Sequence, residues 1–255
     1  MPFEIVTIPC LSDNYAYLVH EAASGKTALV DVPEAAPILE ALVTRGWALD
    51  EVWITHHHAD HVQGLETVLA QHDAVVRGAQ TNSHRLPPLD VAHEDAAVFT
   101  FGGADVHVMD VSGHTIGHIA YYIPDAEAVF TADSLMTMGC GRLFEGTAAR
   151  MWASLSALMQ LPDATEVFTG HEYTASNVKF ALTIDPDNAD LISRASAVSD
   201  ARAAGIPTVP STLAREKATN PFLRAANPKI RALLGMETAS DTDVFAEIRA
   251  RKDAF

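Results

Sequence analysis

The sequence predicts an α/β fold that ends in a helical appendage, and three observations lead there. Short β-branched and aromatic runs alternate with helical segments up to about residue 170. Beyond Gly170 the pattern is helical, with no further strand of comparable strength. Within the first of these regions lies an apolar run, Val52-Trp53-Ile54, that opens directly into Thr55-His56-His57-His58-Ala59-Asp60-His61. Such a run delivers side chains to the carboxyl end of a sheet, where α/β folds leave a crevice for ligands.

Residues 3–8, 15–20 and 27–31 read as strands, broken at 9–14 and at Ser24-Gly25. Residues 34–45 read as a helix with Ile38, Leu39, Leu42 and Val43 on its apolar face and Gly46 as its stop. The strand 51–55 feeds the histidine loop, and a helix over 61–72 carries Val62, Leu65, Val68 and Leu69 on one side. Strands are expected at 74–76, 98–101, 105–110, 119–123, 128–131 and 166–169, with 86–89 as loop and 147–161 as helix. The helices 174–184, 187–205, 228–235 and 241–251 follow, joined by proline-bearing connectors. The expected division is an α/β domain over 1–170 and a helical domain over 171–255.

With 255 residues, 48% of them hydrophobic, the chain has ample core for this plan and no run long enough to span a membrane. The start, Met1-Pro2-Phe3-Glu4, has no basic segment leading into an apolar stretch, so no secretory signal is expected. Two cysteines, Cys10 and Cys140, do not make a disulfide framework, and a reduced, cytoplasmic protein follows. A net charge of -16 opposes nucleic-acid binding. The charge is uneven: residues 215–255 hold eight bases against six acids, while 1–214 hold nine against 27. A solvated helical surface explains this, and so does a local site for a small anion.

Imidazole with carboxylate suits zinc, manganese or iron better than calcium. One metal needs only two or three groups from the loop, so His56, His58, Asp60 and His61 together point to two metals. Downstream, His114, Asp133 and His171 are each the first strongly coordinating residue after an apolar run. Seven ligands divide into two sites of four if one carboxylate is shared. Two divalent ions with two aspartates and a hydroxide leave a charge of about +1, suited to a carbonyl oxygen and its oxyanion.

Thr55 to His61 matches the T-H-x-H-x-D-H signature of the metallo-β-lactamase superfamily, with Gly113-His114-Thr115, Asp133 and His171 in the order and spacing of that group. The closer resemblance is to the glyoxalase II family. It is carried by Ile8-Pro9-Cys10 with Asp13-Asn14-Tyr15, by Gly113-His114-Thr115-Ile116-Gly117-His118, and by Gly139-Cys140-Gly141-Arg142-Leu143-Phe144-Glu145-Gly146-Thr147. Gly170-His171-Glu172-Tyr173-Thr174, Asn220-Pro221-Phe222-Leu223-Arg224 and Lys252-Asp253-Ala254-Phe255 extend it nearly end to end.

The resemblance implies a metallo-β-lactamase-like αβ/βα sandwich with a C-terminal helical domain. It implies His56, His58 and His114 on one metal, Asp60, His61 and His171 on the second, and Asp133 bridging. Zinc is the first expectation, with iron and manganese as alternatives. The implied reaction is hydrolysis of S-D-lactoylglutathione to glutathione and D-lactate, in methylglyoxal detoxification, by a metal-bridging hydroxide that Asp60 helps to orient. A basic pocket would take the glutathione carboxylates: Arg249 and Lys252 on the glycine carboxylate, Tyr173 beside it, Arg142 near the peptide. The implied partner is this small-molecule thioester, with no nucleic acid or membrane, for a monomeric enzyme.

Three departures stand out. Phe144 replaces a tyrosine found in some members, the early turn reads Asp31-Val32-Pro33-Glu34 where V-D-P-G is usual, and Val62-Gln63-Gly64 lacks a second glycine. None is a metal ligand. His57 is expected to be a spacer, and His118 to lie behind the ligands. The rival from another class is a persulfide dioxygenase with one iron, which would not need Asp60, His61 and His171 as a second site.

Overall fold

Strands form where β-branched and aromatic residues recur, and turns rich in glycine or aspartate end them. The computed structural model describes residues 3–255; Met1 and Pro2, where the segment read as lacking a leader begins, lie outside the described residues. Two units emerge: Met1–Asp110 with Ile116–Thr131, and Val111–Thr115 with Ala132–Phe255.

In the first unit, β1 (Phe3–Cys10), β2 (Asn14–Glu21) and β3 (Lys26–Val30) pair antiparallel. Helix α1 (Ala35–Arg45) then crosses over, and β4 (Glu51–Trp53), β5 (Val75–Ala79) and β6 (Val91–His93) join the sheet in parallel. Between β4 and β5 come α2 (Ala59–Val62) and α3 (Leu65–Leu69). The expected helix over 61–72 is thus two short pieces, the first of which takes in Asp60 and His61. At the break the Gly64 N–H donates out of the helix to the Val32 carbonyl at 2.9 Å, and a Cβ on Gly64 would stand 2.9 Å from Ala35 N and 3.0 Å from that carbonyl oxygen. Close approach of the turn after β3 leaves no room for a side chain.

The apolar faces of α1 and α3 meet the sheet in a core that includes Leu18, Leu29, Ile38, Leu42, Val52, Ile54 and Val68. A meander of β7 (Val98–Phe101), β8 (Ala104–Asp110), β9 (Ile119–Ile123) and β10 (Ala128–Ala132) supplies an antiparallel layer. It packs on the first sheet through aromatics: the buried Trp53 ring lies 5.1 Å from Phe101 and 5.3 Å from Tyr121, and Tyr17 lies 5.6 Å from Phe130. The Tyr121 hydroxyl donates to the Ile54 carbonyl at 3.1 Å, which satisfies its one polar atom inside that layer.

The second unit contains the hairpin β11 (Leu135–Met136) and β12 (Gly139–Cys140), helix α4 (Ala148–Leu158), and β13 (Glu166–Thr169). It continues with α5 (Thr174–Ile184), α6 (Ala189–Ala203), β14 (Ser211–Thr212), α7 (Leu213–Thr219), α8 (Pro228–Leu234) and α9 (Asp241–Ala254). Strand β14, antiparallel to β13, departs from the all-helical expectation beyond residue 170, and helix α7 adds to the helices expected there. Two residues carry too little pattern to read as a strand, and α7 looks polar in sequence because it buries Glu216.

That glutamate anchors a polar hub. Buried Glu216 pairs with buried Arg194 and accepts the Met138 N–H at 2.8 Å. Asn220 donates to the carbonyls of Met136 and Gly139, and Asn177 to that of Thr137. Side chains from the helices thereby satisfy the turn of the β11–β12 hairpin, where Met138 sits at φ +62°. No helix among the described residues is long and apolar enough to cross a membrane.

Candidate functional site

In the first unit, the histidine loop is fixed by the turn that follows β3. Asp31 N–H donates to the Trp53 carbonyl at 3.1 Å, and Val32 N–H to the His61 carbonyl at 2.7 Å. The Asp31 carboxylate accepts the Thr55 N–H on Oδ1 at 2.8 Å and the Thr55 hydroxyl on Oδ2 at 2.8 Å. His61 Nδ1 lies 2.7 Å from the same Oδ2, and Thr55 Oγ1 lies 3.0 Å from His56 Nδ1. His56 Nε2 then stands 3.2 Å from His58 Nδ1, and His61 Nε2 stands 4.0 Å from Asp60 Oδ2. The Asn14 amide donates to both the backbone oxygen and Oδ2 of Asp60, at 3.0 and 3.1 Å.

These distances suit a metal. Two nitrogens each about 2.0–2.1 Å from one tetrahedral ion stand roughly 3.3–3.4 Å apart, close to the His56–His58 separation. Asp31, His56 and His61 also present ligand atoms within 4.8 Å of one another. The Asp31 oxygens already receive three donors, so Asp31 holds the rings. His57 is half-buried, with its ring 6.4 Å from that of His56. His118 is buried and stacks on His56 at 4.5 Å.

In the second unit, His114 Nδ1 donates to the Arg142 carbonyl at 2.8 Å, which turns Nε2 toward Asp133. Asp133 Oδ2 lies 3.4 Å from His114 Nε2 and 3.3 Å from His171 Nε2. One carboxylate oxygen between two imidazole nitrogens, at the spacing of co-ligands, suits a carboxylate shared by two ions. The Gly170 N–H donates to the Ala132 carbonyl at 3.0 Å, which brings the residues after β13 beside Asp133. All three groups are buried.

Around these donors stand the substrate candidates of the second unit. The Phe144 ring is 63% exposed and meets His114 edge-on at 5.2 Å. The Tyr173 ring stacks on His171 at 4.7 Å. Arg142 is exposed. Lys252 is half-buried between Phe180 and Phe255, with Nζ 5.3 and 5.2 Å from their ring centres, and it reaches Ser176 Oγ at 3.3 Å. Burial, then Arg249 and Arg142, push the Lys252 ammonium below its ordinary pKa, and Asp253 opposes the shift. Arg249 is buried, donating to the Cys140 carbonyl at 2.9 Å and to Asp253 at 2.8 Å. It therefore braces the loop after β12 as well as adding charge.

Sequence reasoning did not assign Asp31, Asn14 or the Glu216 hub. Asp31 and Asn14 lie in turns, and only the fold shows what a turn carboxylate or amide reaches.

Comparison with known proteins agrees with this geometry. Residues 12–171 match the metallo-beta-lactamase superfamily, and residues 172–255 match the hydroxyacylglutathione hydrolase C-terminus. A hydroxyacylglutathione hydrolase of Roseobacter denitrificans is 69% identical over 255 residues, covering 100% of both chains. One of Ruegeria pomeroyi is 64% identical, again over 100% of both. Among solved structures, ETHE1 from Myxococcus xanthus is similar with a TM-score of 0.66 at 23% identity, covering 100% of this chain and 99% of that one; at that identity it shows the fold. The metallo-β-lactamase fold with its C-terminal helical region, and a histidine–aspartate set able to bind divalent metal, are as the sequence leads one to expect. The chain belongs to the hydroxyacylglutathione hydrolase family of the metallo-beta-lactamase superfamily.

Proposed function

We propose that this enzyme, a thioester hydrolase by its family, cleaves S-2-hydroxyacylglutathiones, S-D-lactoylglutathione foremost, to glutathione and the 2-hydroxy acid. That step consumes the thioester formed in methylglyoxal detoxification. The observation that carries the reading is the Asp133 oxygen between His114 and His171 at co-ligand spacing. We assign His56, His58 and His114 to one divalent ion, Asp60, His61 and His171 to another, and Asp133 to both. Zinc suits this nitrogen-rich set best, with iron and manganese as the alternatives. When bound, such ions make hydroxide available at neutral pH and stabilise charge on a carbonyl oxygen.

The protein's own groups do the rest. Asn14 holds the Asp60 carboxylate in one orientation, so Asp60 can aim the nucleophile as well as bind. Lys252 and Arg142 offer positive charge to the carboxylates of glutathione, with Arg249 behind them. Tyr173 and Phe144 present ring faces and edges beside His171 and His114, where the peptide and acyl group would pass. The leaving thiol, with a pKa near ~8.5, departs as thiolate without a dedicated acid. We assign 1–170 the metal-binding catalytic domain and 171–255 the glutathione-binding domain, with His171 the one ligand beyond that boundary and Arg142 and Phe144 substrate residues before it, in a cytoplasmic monomer acting on small molecules.

Metal-replete protein should hydrolyse S-lactoylglutathione and contain two metals per chain. Failure to cleave the thioester, with one iron and oxygen uptake on glutathione persulfide, would replace this reading with the dioxygenase.

A further inference from the structure

Asp31, Thr55, His56 and His61 form a hydrogen-bonded relay in the first unit, all at 3% exposure or less, so water does not compete for its protons. An ionised carboxylate accepts hydrogen bonds and donates none, and a threonine hydroxyl has one proton. The Thr55 proton goes to Asp31 Oδ2 at 2.8 Å, so Thr55 Oγ1 offers His56 only lone pairs, and His56 Nδ1 at 3.0 Å must carry the hydrogen. His61 Nδ1, 2.7 Å from the same carboxylate oxygen, must carry one too. A neutral imidazole with its proton on Nδ1 has its lone pair on Nε2. The Nε2 atoms are the ones that face His58 and Asp60.

We propose that Asp31 is a positioning residue that sets the tautomer of two metal-binding imidazoles, His61 directly and His56 through Thr55, one for each ion. The assignment to ions rests on the two-metal reading above. The relay itself rests on the hydrogen bonds. Its cost is visible in the backbone: Asp31 sits at φ +56°, a region disfavoured for side-chain-bearing residues but open to aspartate and asparagine.

That last fact makes Asp31→Asn a clean test. The asparagine oxygen can keep the Thr55 N–H, and its NH2 then faces Thr55 Oγ1 and His61 Nδ1. Both must turn into acceptors. The His61 proton moves to Nε2, the Thr55 hydroxyl turns to His56 Nδ1, and the His56 proton moves to Nε2 as well. No proton is gained or lost, yet both lone pairs leave the atoms that need them. Thr55→Val breaks only the branch to His56.

The readouts are the ring-nitrogen NMR signals of metal-free protein at about pH 8, above the ordinary imidazole pKa of about 6.5, and zinc affinity by chelator competition. Wild-type protein should show Nδ1–H on His56 and His61. Asp31→Asn should show Nε2–H on both and lose about 10- to 100-fold in zinc affinity at both sites. Thr55→Val should change His56 and one zinc site alone, and it decides the question if Asp31→Asn does not fold. Unchanged tautomers in the variants, or zinc affinity equal to wild type, would overturn the proposal. If wild-type protein itself binds no zinc, the metal reading fails, while the NMR arm still decides the role of Asp31.

Discussion

A Cβ on Gly141 would stand 1.9 Å from the carbonyl oxygen of Asp133 and 2.9 Å from His114 Nδ1. The first neighbour is backbone and cannot swing aside. Gly141 is thus the residue that lets the chain after β12 fold back on the segment carrying Asp133. Gly141→Ala should displace Asp133, His114 or both, and a misplacement of about 1 Å costs on the order of 10²-fold in rate. Metal content and kcat of the folded variant check this; full metal loading with wild-type kcat would show that the Asp133 backbone yields freely.

Neither cysteine has the chemistry of a nucleophile. Burial pushes the Cys10 thiol up to about 12, helped by nearby Glu34. Burial pushes Cys140 up to about 11 even though Arg249 lies beside it. Native protein at neutral pH should resist thiol-specific reagents and react at two thiols per chain only after unfolding. Fast labelling of the native enzyme would show that one of the two is exposed in solution.

Most strands and helices were legible because their signals are local. The apolar stripe Ile38-Leu42 and the stop at Gly46 announce α1, and the run before His56 announces β4. The seven proposed metal ligands rest on the same kind of local signal, since they follow strand ends. The break at Gly64 was not legible, because it depends on the approach of Val32, distant in sequence. Nor was the role of Asp31 or of Glu216. A charged residue in a turn or short helix reads as solvent-facing until its partners, Thr55 and His61 or Arg194 and Met138, are known.

Phe144 tests the pocket without replacing a proposed metal ligand. Its ring is largely exposed beside His114 and has no hydroxyl to offer a peptide substrate. Phe144→Tyr adds one donor where the glutathione moiety is assigned. One hydrogen bond contributes about 0.5–1.5 kcal/mol, so KM for S-lactoylglutathione should fall by about two- to tenfold with kcat little changed. An unchanged KM would remove this position from the substrate contacts.

Lys252 makes two predictions with opposite signs. For binding, the ammonium must be charged, and burial with Arg249 and Arg142 lowers its pKa from 10.5. KM should therefore be low at neutral pH and rise as pH climbs through the lowered pKa, earlier than an ordinary lysine would cause. Lys252→Ala should raise KM about tenfold or more, as a lost charged hydrogen bond of about 1.5–3 kcal/mol implies, lower kcat less, and abolish that alkaline limb. For stability the sign reverses. The folded protein holds this proton less tightly than the unfolded chain, so the charge costs stability at neutral pH. That cost disappears as pH rises from the folded pKa toward 10.5. Lys252→Met, which keeps the stem between Phe180 and Phe255, should unfold at equal or higher denaturant concentration than wild type at pH 7. A large loss of stability in that variant would mean that the ammonium's contacts to Ser176 and the two rings outweigh its desolvation.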